Sequence, residues 1–260
     1  MKKLIARFTV WQTAAPFLTV ILLVSGPFHP ASILETKGSS DELRVLFIGN
    51  SLTYTNDLPA IVEALASATK QKRFAHKSVV FPNFSLEDHW NKGDALKAIK
   101  KGRWNIVVMQ QGPSALSEGR GVLIEYSRLF AEEIRRRGAK PALYMVWPSA
   151  ARSFDFKGVS ESYRQAAKEV SGLVFPVGEA WLSVWRVDPQ LRLYSSDGFH
   201  PSESGSYLAA LVIYERLYSR SPVGLPARLK LRNGTKIEIP DGQAKMLQEA
   251  ARDANGKFGM

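Results

Sequence analysis

From Leu43 onward, short apolar runs rich in β-branched residues alternate with stretches whose apolar positions recur every three or four residues. Residues 43–48 predict an opening strand that runs straight into Gly49-Asn50-Ser51. Leu58, Ile61, Val62 and Leu65 then repeat at helical spacing, with Asn56 or Asp57 as cap and Pro59 in the first turn. A second strand is expected over 76–81, and Ser85-Leu86-Glu87-Asp88 reads as a capping box opening a helix through about Lys100. Residues 105–109 are apolar enough for a strand buried on both faces. A long helix follows, with Leu123, Tyr126, Phe130 and Ile134 on one stripe, and then a fourth strand over 142–147 that Pro148 stops. Tyr163, Ala166, Ala167 and Val170 mark another helix, 173–175 a short fifth strand and 179–185 a short helix. The last large helix starts near Ser202 and points Tyr207, Leu211, Tyr214 and Tyr218 inward.

Strands alternating with helices in this way predict an α/β fold, a mainly parallel five-stranded sheet with right-handed crossovers and helices on both faces. Ligands in such sheets bind beyond the carboxyl ends of the strands. Ser51 lies just past the first of those ends. The tail differs in character: 229–231 and 237–239 flank Asn233-Gly234, a two-residue hairpin signal, and a polar helix is expected over 243–251. The expected organisation is therefore a leader and linker over 1–40, a main domain over 41–222, and a hairpin and helix over 223–260 packing on that domain.

The leader shows in composition as well as pattern. Lys2, Lys3 and Arg7 precede an apolar stretch from Ala14 to Val24, too short to span a bilayer comfortably and suited to an export signal. Pro27 obscures the cleavage site, so periplasmic or secreted protein and an uncleaved membrane tether both stay open. The formal net charge of +11 raises nucleic acid as a partner, but the basic residues are scattered. The densest run, Arg135-Arg136-Arg137, falls where a helix should end and where its dipole favours cations. No nucleic-acid partner is expected. The chain has no cysteine, which excludes disulfides and thiolate chemistry, and its histidines show no metal-ligand spacing. No metal and no cofactor are expected.

The chemistry points elsewhere. A serine becomes a competent nucleophile when a base accepts its proton and a third group orients that base. Ser51 at a strand end and Asp197-Gly198-Phe199-His200-Pro201 far along the chain supply one of each. A separation of three residues on a loop lets the Asp197 carboxylate reach one nitrogen of His200, leaving the other for Ser51. The local alternatives are a helix-capping serine and a helix start at Pro201.

Gly49-Asn50-Ser51-Leu52 and Asp197-x-x-His200 together resemble the first and last blocks of the SGNH (GDSL-type) hydrolases, over roughly Leu43 to Ser219. That resemblance implies a flavodoxin-like three-layer α/β/α fold and a serine esterase with Ser51 as nucleophile, His200 as general base and Asp197 as its orienter. The family's second block contributes an oxyanion donor, and here Asn83 stands where glycine is usual. The third block is replaced by Gln110-Gln111-Gly112-Pro113-Ser114, which is similar to the Gln-containing carbohydrate acetylesterases of that superfamily. The resemblance thus implies an oxyanion hole built from the Ser51 and Asn83 N–H groups and a glutamine amide, Gln111 first and Gln110 next. Asn50 replaces the family's usual aspartate.

Trp147 and His89 are weaker candidates for a substrate wall. The expected activity is removal of short acyl groups, acetyl among them, from a carbohydrate or similar small-molecule ester. A non-catalytic carbohydrate-binding or scaffold protein and an acyltransferase are the alternatives left open.

Overall fold

The computed structural model describes residues 42–258; the leader expected over 1–40 lies outside the described residues. Five parallel strands form the central sheet: β1 (Glu42–Gly49), β2 (Arg73–Val80), β3 (Ile106–Met109), β4 (Lys140–Met145) and β5 (Leu173–Pro176). Their spatial order is β2-β1-β3-β4-β5. The chain steps outward from β1 to β2, then crosses back to β3 on the other side of β1. That reversal opens a crevice between the carboxyl ends of β1 and β3. The register there pairs Ile48 with Met109, which sets Gly49 and Asn50 beside Gln110.

The strands form because their residues are buried on both faces. Val45, Leu46, Phe47 and Ile48 are fully buried, as are Val107, Val108 and Met109. Burying each such side chain contributes roughly 1.5–3 kcal/mol before entropy is charged against it. Helices cover both faces. On one side, α2 (Leu58–Ala68) packs on α8 (Glu203–Tyr218). α7 (Val177–Val187) and α9 (Asp241–Phe258) pack against α8 and each other. On the opposite side, α5 (Ser117–Arg136) packs on α3 (Leu86–Lys92), α4 (Asp94–Lys101) and α6 (Phe156–Glu169). The result is a three-layer α/β/α fold.

The tail explains an otherwise odd helix. Every residue of α8 from Gly205 to Tyr214 is buried, so it is apolar all round rather than on one stripe. Its outer side is covered by α9, where Gln248 donates to Tyr207 Oη (3.2 Å) and Asn255 Nδ2 donates to the Val212 carbonyl (3.1 Å). Strands β6 (Arg228–Lys230) and β7 (Lys236–Glu238) form the antiparallel hairpin around Asn233-Gly234. Among the described residues, no helix is long and apolar enough to cross a membrane.

Two local expectations change. The helix predicted through Lys100 is broken at Gly93, whose left-handed backbone (φ 80°) ends α3 and starts α4. The capping box itself forms, with Ser85 and Asp88 exchanging backbone and side-chain bonds. Neither Asn56 nor Asp57 caps α2 through its side chain. Both adopt left-handed backbone in a single 3-10 turn, and the Asn56 side chain turns to a different partner described below.

Candidate active site

At the end of β1 the chain makes an abrupt turn into α1 (Ser51–Tyr54). Asn50 caps that short helix, its Oδ1 accepting from the Leu52 N–H at 3.1 Å. Ser51 is the first helical residue, so its own N–H has no acceptor within the helix. The residue is only 6% exposed.

The turn is braced from β3. The Asn50 N–H donates to Gln110 Oε1 (2.9 Å), and Gln110 Nε2 donates back to Asn50 Oδ1 (2.9 Å). Thr53 Oγ1 donates to the same Gln110 Oε1 at 2.7 Å. This crowding accounts for Gly49: a Cβ there would collide with Gln110 Oε1 and Thr53 Oγ1. The Gly49 carbonyl accepts from the Phe81 N–H (3.2 Å) and from His89 Nε2 (2.8 Å). A carbonyl partner fixes the hydrogen of His89 on Nε2. The ring is buried against Phe81 and Phe84, and burial holds its pKa below the ordinary value.

Asn83 sits in the loop after β2, exposed, with left-handed backbone (φ 60°). That conformation costs asparagine less than most residues, which suits its stand-in for glycine. The loop is tied to the β1 turn by Asn50 Nδ2, which donates to the Phe84 carbonyl at 3.0 Å.

The His200 segment folds around one carboxylate. Asp197 Oδ1 accepts from Ser195 Oγ (2.7 Å), the Phe199 N–H (2.9 Å) and the His200 N–H (2.9 Å). Asp197 Oδ2 lies 2.5 Å from His200 Nδ1. These donors, the imidazole first, hold the carboxyl well below the usual carboxylate range. Gly198 makes the bend possible with φ 69°.

Two sets of bonds fix this segment over the carboxyl edge of the sheet. Asn56 Nδ2, five residues past Ser51, donates to the Pro201 carbonyl (3.2 Å) and to Ser206 Oγ (2.9 Å). From the β4 side, Trp147 Nε1 donates to the Phe199 carbonyl (3.0 Å) and the Ala150 N–H to the Gly198 carbonyl (2.8 Å). The chain around His200 is thus hydrogen-bonded both to the segment that follows Ser51 and to the loop after β4.

A cavity of about 650 Å³ opens beside this edge. Its apolar wall includes Pro113, Leu116, Val122 and Phe199, and its polar wall includes Ser85, Glu87, Gln111, Ser149 and the Arg152–Asp155 ion pair. Phe199, in that lining, has its ring 5.3 Å from the His200 ring, while Ser51, Asn83, Asp197 and His200 do not themselves line the cavity.

These positions bear on several expected roles. Trp147 is fully buried, stacked on Trp181 at 3.8 Å, and offers no face to a ligand. His89 is likewise buried and acts on the Gly49 carbonyl, not on the cavity. Both glutamine amides have protein partners in this structure. Gln110 Nε2 is held by Asn50 Oδ1 and the Gln111 carbonyl (2.6 Å), and Gln111 Nε2 by Ser114 Oγ (2.8 Å) and the Gly119 carbonyl (3.4 Å). The Gln111 main chain is pinned further by Tyr163, whose hydroxyl donates to its carbonyl at 2.6 Å. Sequence reading missed Asn56, Ser195 and Phe199. Only Ser195 left a trace, as the polar residue two before Asp197 in a turn-forming Asp-Gly stretch. Among the described residues, no group of three or more His, Asp or Glu is placed to hold a metal ion.

No family model matches this chain, and a sequence search among curated proteins finds no match. Solved structures do match. One is a candidate SGNH hydrolase from Slackia heliotrinireducens, 27% identical with a TM-score of 0.57, the alignment covering 67% of this chain and 98% of that one. A DUF4886 family protein from Bacteroides uniformis is 19% identical with a TM-score of 0.64, covering 83% of this chain and 95% of its own. A lipase/acylhydrolase from Enterococcus faecalis is 16% identical with a TM-score of 0.57, covering 68% and 96%.

Proposed function

We propose that this chain, whose fold is similar to that of a candidate SGNH hydrolase, is a serine ester hydrolase working through Ser51, His200 and Asp197. The observation that carries the reading is the Asp197–His200 pair, in a segment hydrogen-bonded to the one that follows Ser51. His200 Nε2 takes the Ser51 hydroxyl proton as Oγ attacks the ester carbonyl. Asp197 keeps the hydrogen on Nδ1 and stabilises the imidazolium that forms. The carbonyl oxygen, now negative, accepts from the N–H groups of Ser51 and Asn83. Collapse of the adduct breaks the bond to the alcohol, which leaves with the proton held by His200. A water molecule then repeats the sequence on the acyl-serine and releases the acid. Gln111 shapes the cavity wall.

The cavity would take the alcohol portion of the ester. Its mixture of one apolar wall and several hydroxyl and carboxylate groups suits a polyhydroxylated ring better than a long acyl chain. Together with the Gln-Gly-x-Ser stretch, this supports a short acyl group, acetyl foremost, on a carbohydrate.

Steady-state hydrolysis of p-nitrophenyl acetate by the parent, Ser51→Ala and His200→Ala proteins tests the proposal. Each variant should lose about 10³-fold or more in kcat. Variants as active as the parent would overturn it, and an inactive parent would favour the non-catalytic alternative.

A further inference from the structure

We propose that Asn50 is a positioning residue that sets the spacing of the Ser51 and Asn83 N–H donors, and that Gln110 locks its orientation; this rests on the esterase reading above. The Asn50 carboxamide makes three hydrogen bonds. Its Oδ1 accepts from the Leu52 N–H (3.1 Å) and from Gln110 Nε2 (2.9 Å), while its Nδ2 donates to the Phe84 carbonyl (3.0 Å). Turning the amide over would face Nδ2 toward two donors and Oδ1 toward a carbonyl, so the network admits one orientation. Gln110 is itself fully buried and satisfied by Asn50, Thr53 and the Gln111 carbonyl. The Asn50 side chain reaches the Asn83 loop through one bond, alongside the Phe81 N–H to Gly49 carbonyl bond that also ties the two segments. Asn50 Nδ2 crosses from the residue before Ser51 to the residue after Asn83, joining the two loops that carry the donors.

An aspartate cannot reproduce that bond while ionised. Its second oxygen would lie against the Phe84 carbonyl, acceptor against acceptor, and push the Asn83 loop away. A protonated aspartic acid can donate there, so an Asn50→Asp protein should recover as pH falls. The other titratable groups around the turn do not confuse the comparison. His89 on α3 is held below the ordinary histidine range, and Tyr144 on β4 and Tyr163 on α6 are pushed above the ordinary phenol range, all by burial. Asp88 beside His89 is held below the ordinary carboxylate range by its bonds to Ser85.

The experiment measures kcat and KM on p-nitrophenyl acetate from about pH 9 to about pH 6, spanning the range in which a buried carboxyl can titrate. The full-length parent, Asn50→Asp, Asn50→Ser and Ser51→Ala proteins are compared, with thermal melts for each. Asn50→Ser keeps a capping oxygen but cannot reach Phe84, and it decides the matter if the aspartate variant fails to fold. At high pH both Asn50 variants should lose roughly 10- to 100-fold in kcat with KM changed about twofold at most. The Asn50→Asp to parent ratio should rise toward low pH while the Asn50→Ser ratio stays flat. A folded Asn50→Ser protein with parental kcat, or an Asn50→Asp ratio that does not vary with pH, overturns the inference alone. An inactive parent, or a Ser51→Ala protein as active as it, overturns the esterase reading and this inference with it.

Discussion

Asp197 and His200 meet through Oδ2 and Nδ1 at 2.5 Å, while the other oxygen of the same carboxylate gathers three donors from Ser195, Phe199 and His200 itself. One oxygen organises the loop and the other organises the imidazole. Because the two tasks fall on different atoms, they can be separated by an isosteric change.

Asp197→Asn is that change. Its Oδ1 keeps the loop bonds, while its NH₂ presents hydrogens to Nδ1 and forces the hydrogen of the ring onto the nitrogen that should face Ser51. Activity should fall about 10³- to 10⁴-fold by the logic of the triad, with the melting temperature nearly unchanged. Loss of fold without a specific loss of kcat would contradict the division of labour. In the parent, the pKa of Asp197 is depressed on folding. Its stabilising contribution is therefore complete above the unfolded carboxyl value of about 4 and is lost only as pH falls through the lower folded value. The side chain is about half exposed, so that contribution is small.

Trp147 separates a structural from a ligand-binding role. Buried on Trp181 and bonded to the Phe199 carbonyl, it should cost about 3–5 kcal/mol of stability when cut to alanine. Trp147→Phe should keep most of the packing and lose the bond that orients Phe199 beside His200. Chemical denaturation measures the first effect and kcat the second. A Trp147→Ala protein of parental stability with a raised KM would restore the substrate-wall role that the burial denies it.

His89 predicts a pH dependence of stability. Desolvation lowers its folded pKa, more than its bond to Gly49 and the nearby Asp88 raise it. The unfolded chain, with an ordinary value of about 6.5, then binds more protons over the interval between the two values. Stability is full above about pH 6.5 and declines as pH falls toward the folded value. His76, also lowered by burial, acts in the same direction. His89→Gln, which retains a donor for Gly49, should therefore flatten part of the decline in denaturant midpoints between about pH 7 and about pH 5. A slope equal to that of the parent would show that His89 does not titrate in this range.

The strand pattern was legible because burial on both faces leaves continuous apolar runs, as in β1 and β3. Boundaries were less so. One glycine, Gly93, splits a helix whose apolar periodicity reads straight through it. The residues that hold the carboxyl-edge loops together were the least legible. Asn56 bonds Pro201 and Ser206, some 145 and 150 positions away, and nothing near Asn56 encodes that distance. Trp147 and His89 misled for the opposite reason. Aromatic and imidazole groups at strand and helix ends suit either a wall or a core, and only packing decides between them.

In the proposed mechanism His200 activates the Ser51 hydroxyl. Intact-mass and peptide analysis of the protein after reaction with a fluorophosphonate ester tests it most directly. One adduct is expected, on Ser51, forming at least about 10²-fold more slowly in His200→Ala, as when a general base is removed. Labelling at another serine, or labelling of Ser51 at the same rate without His200, would contradict it.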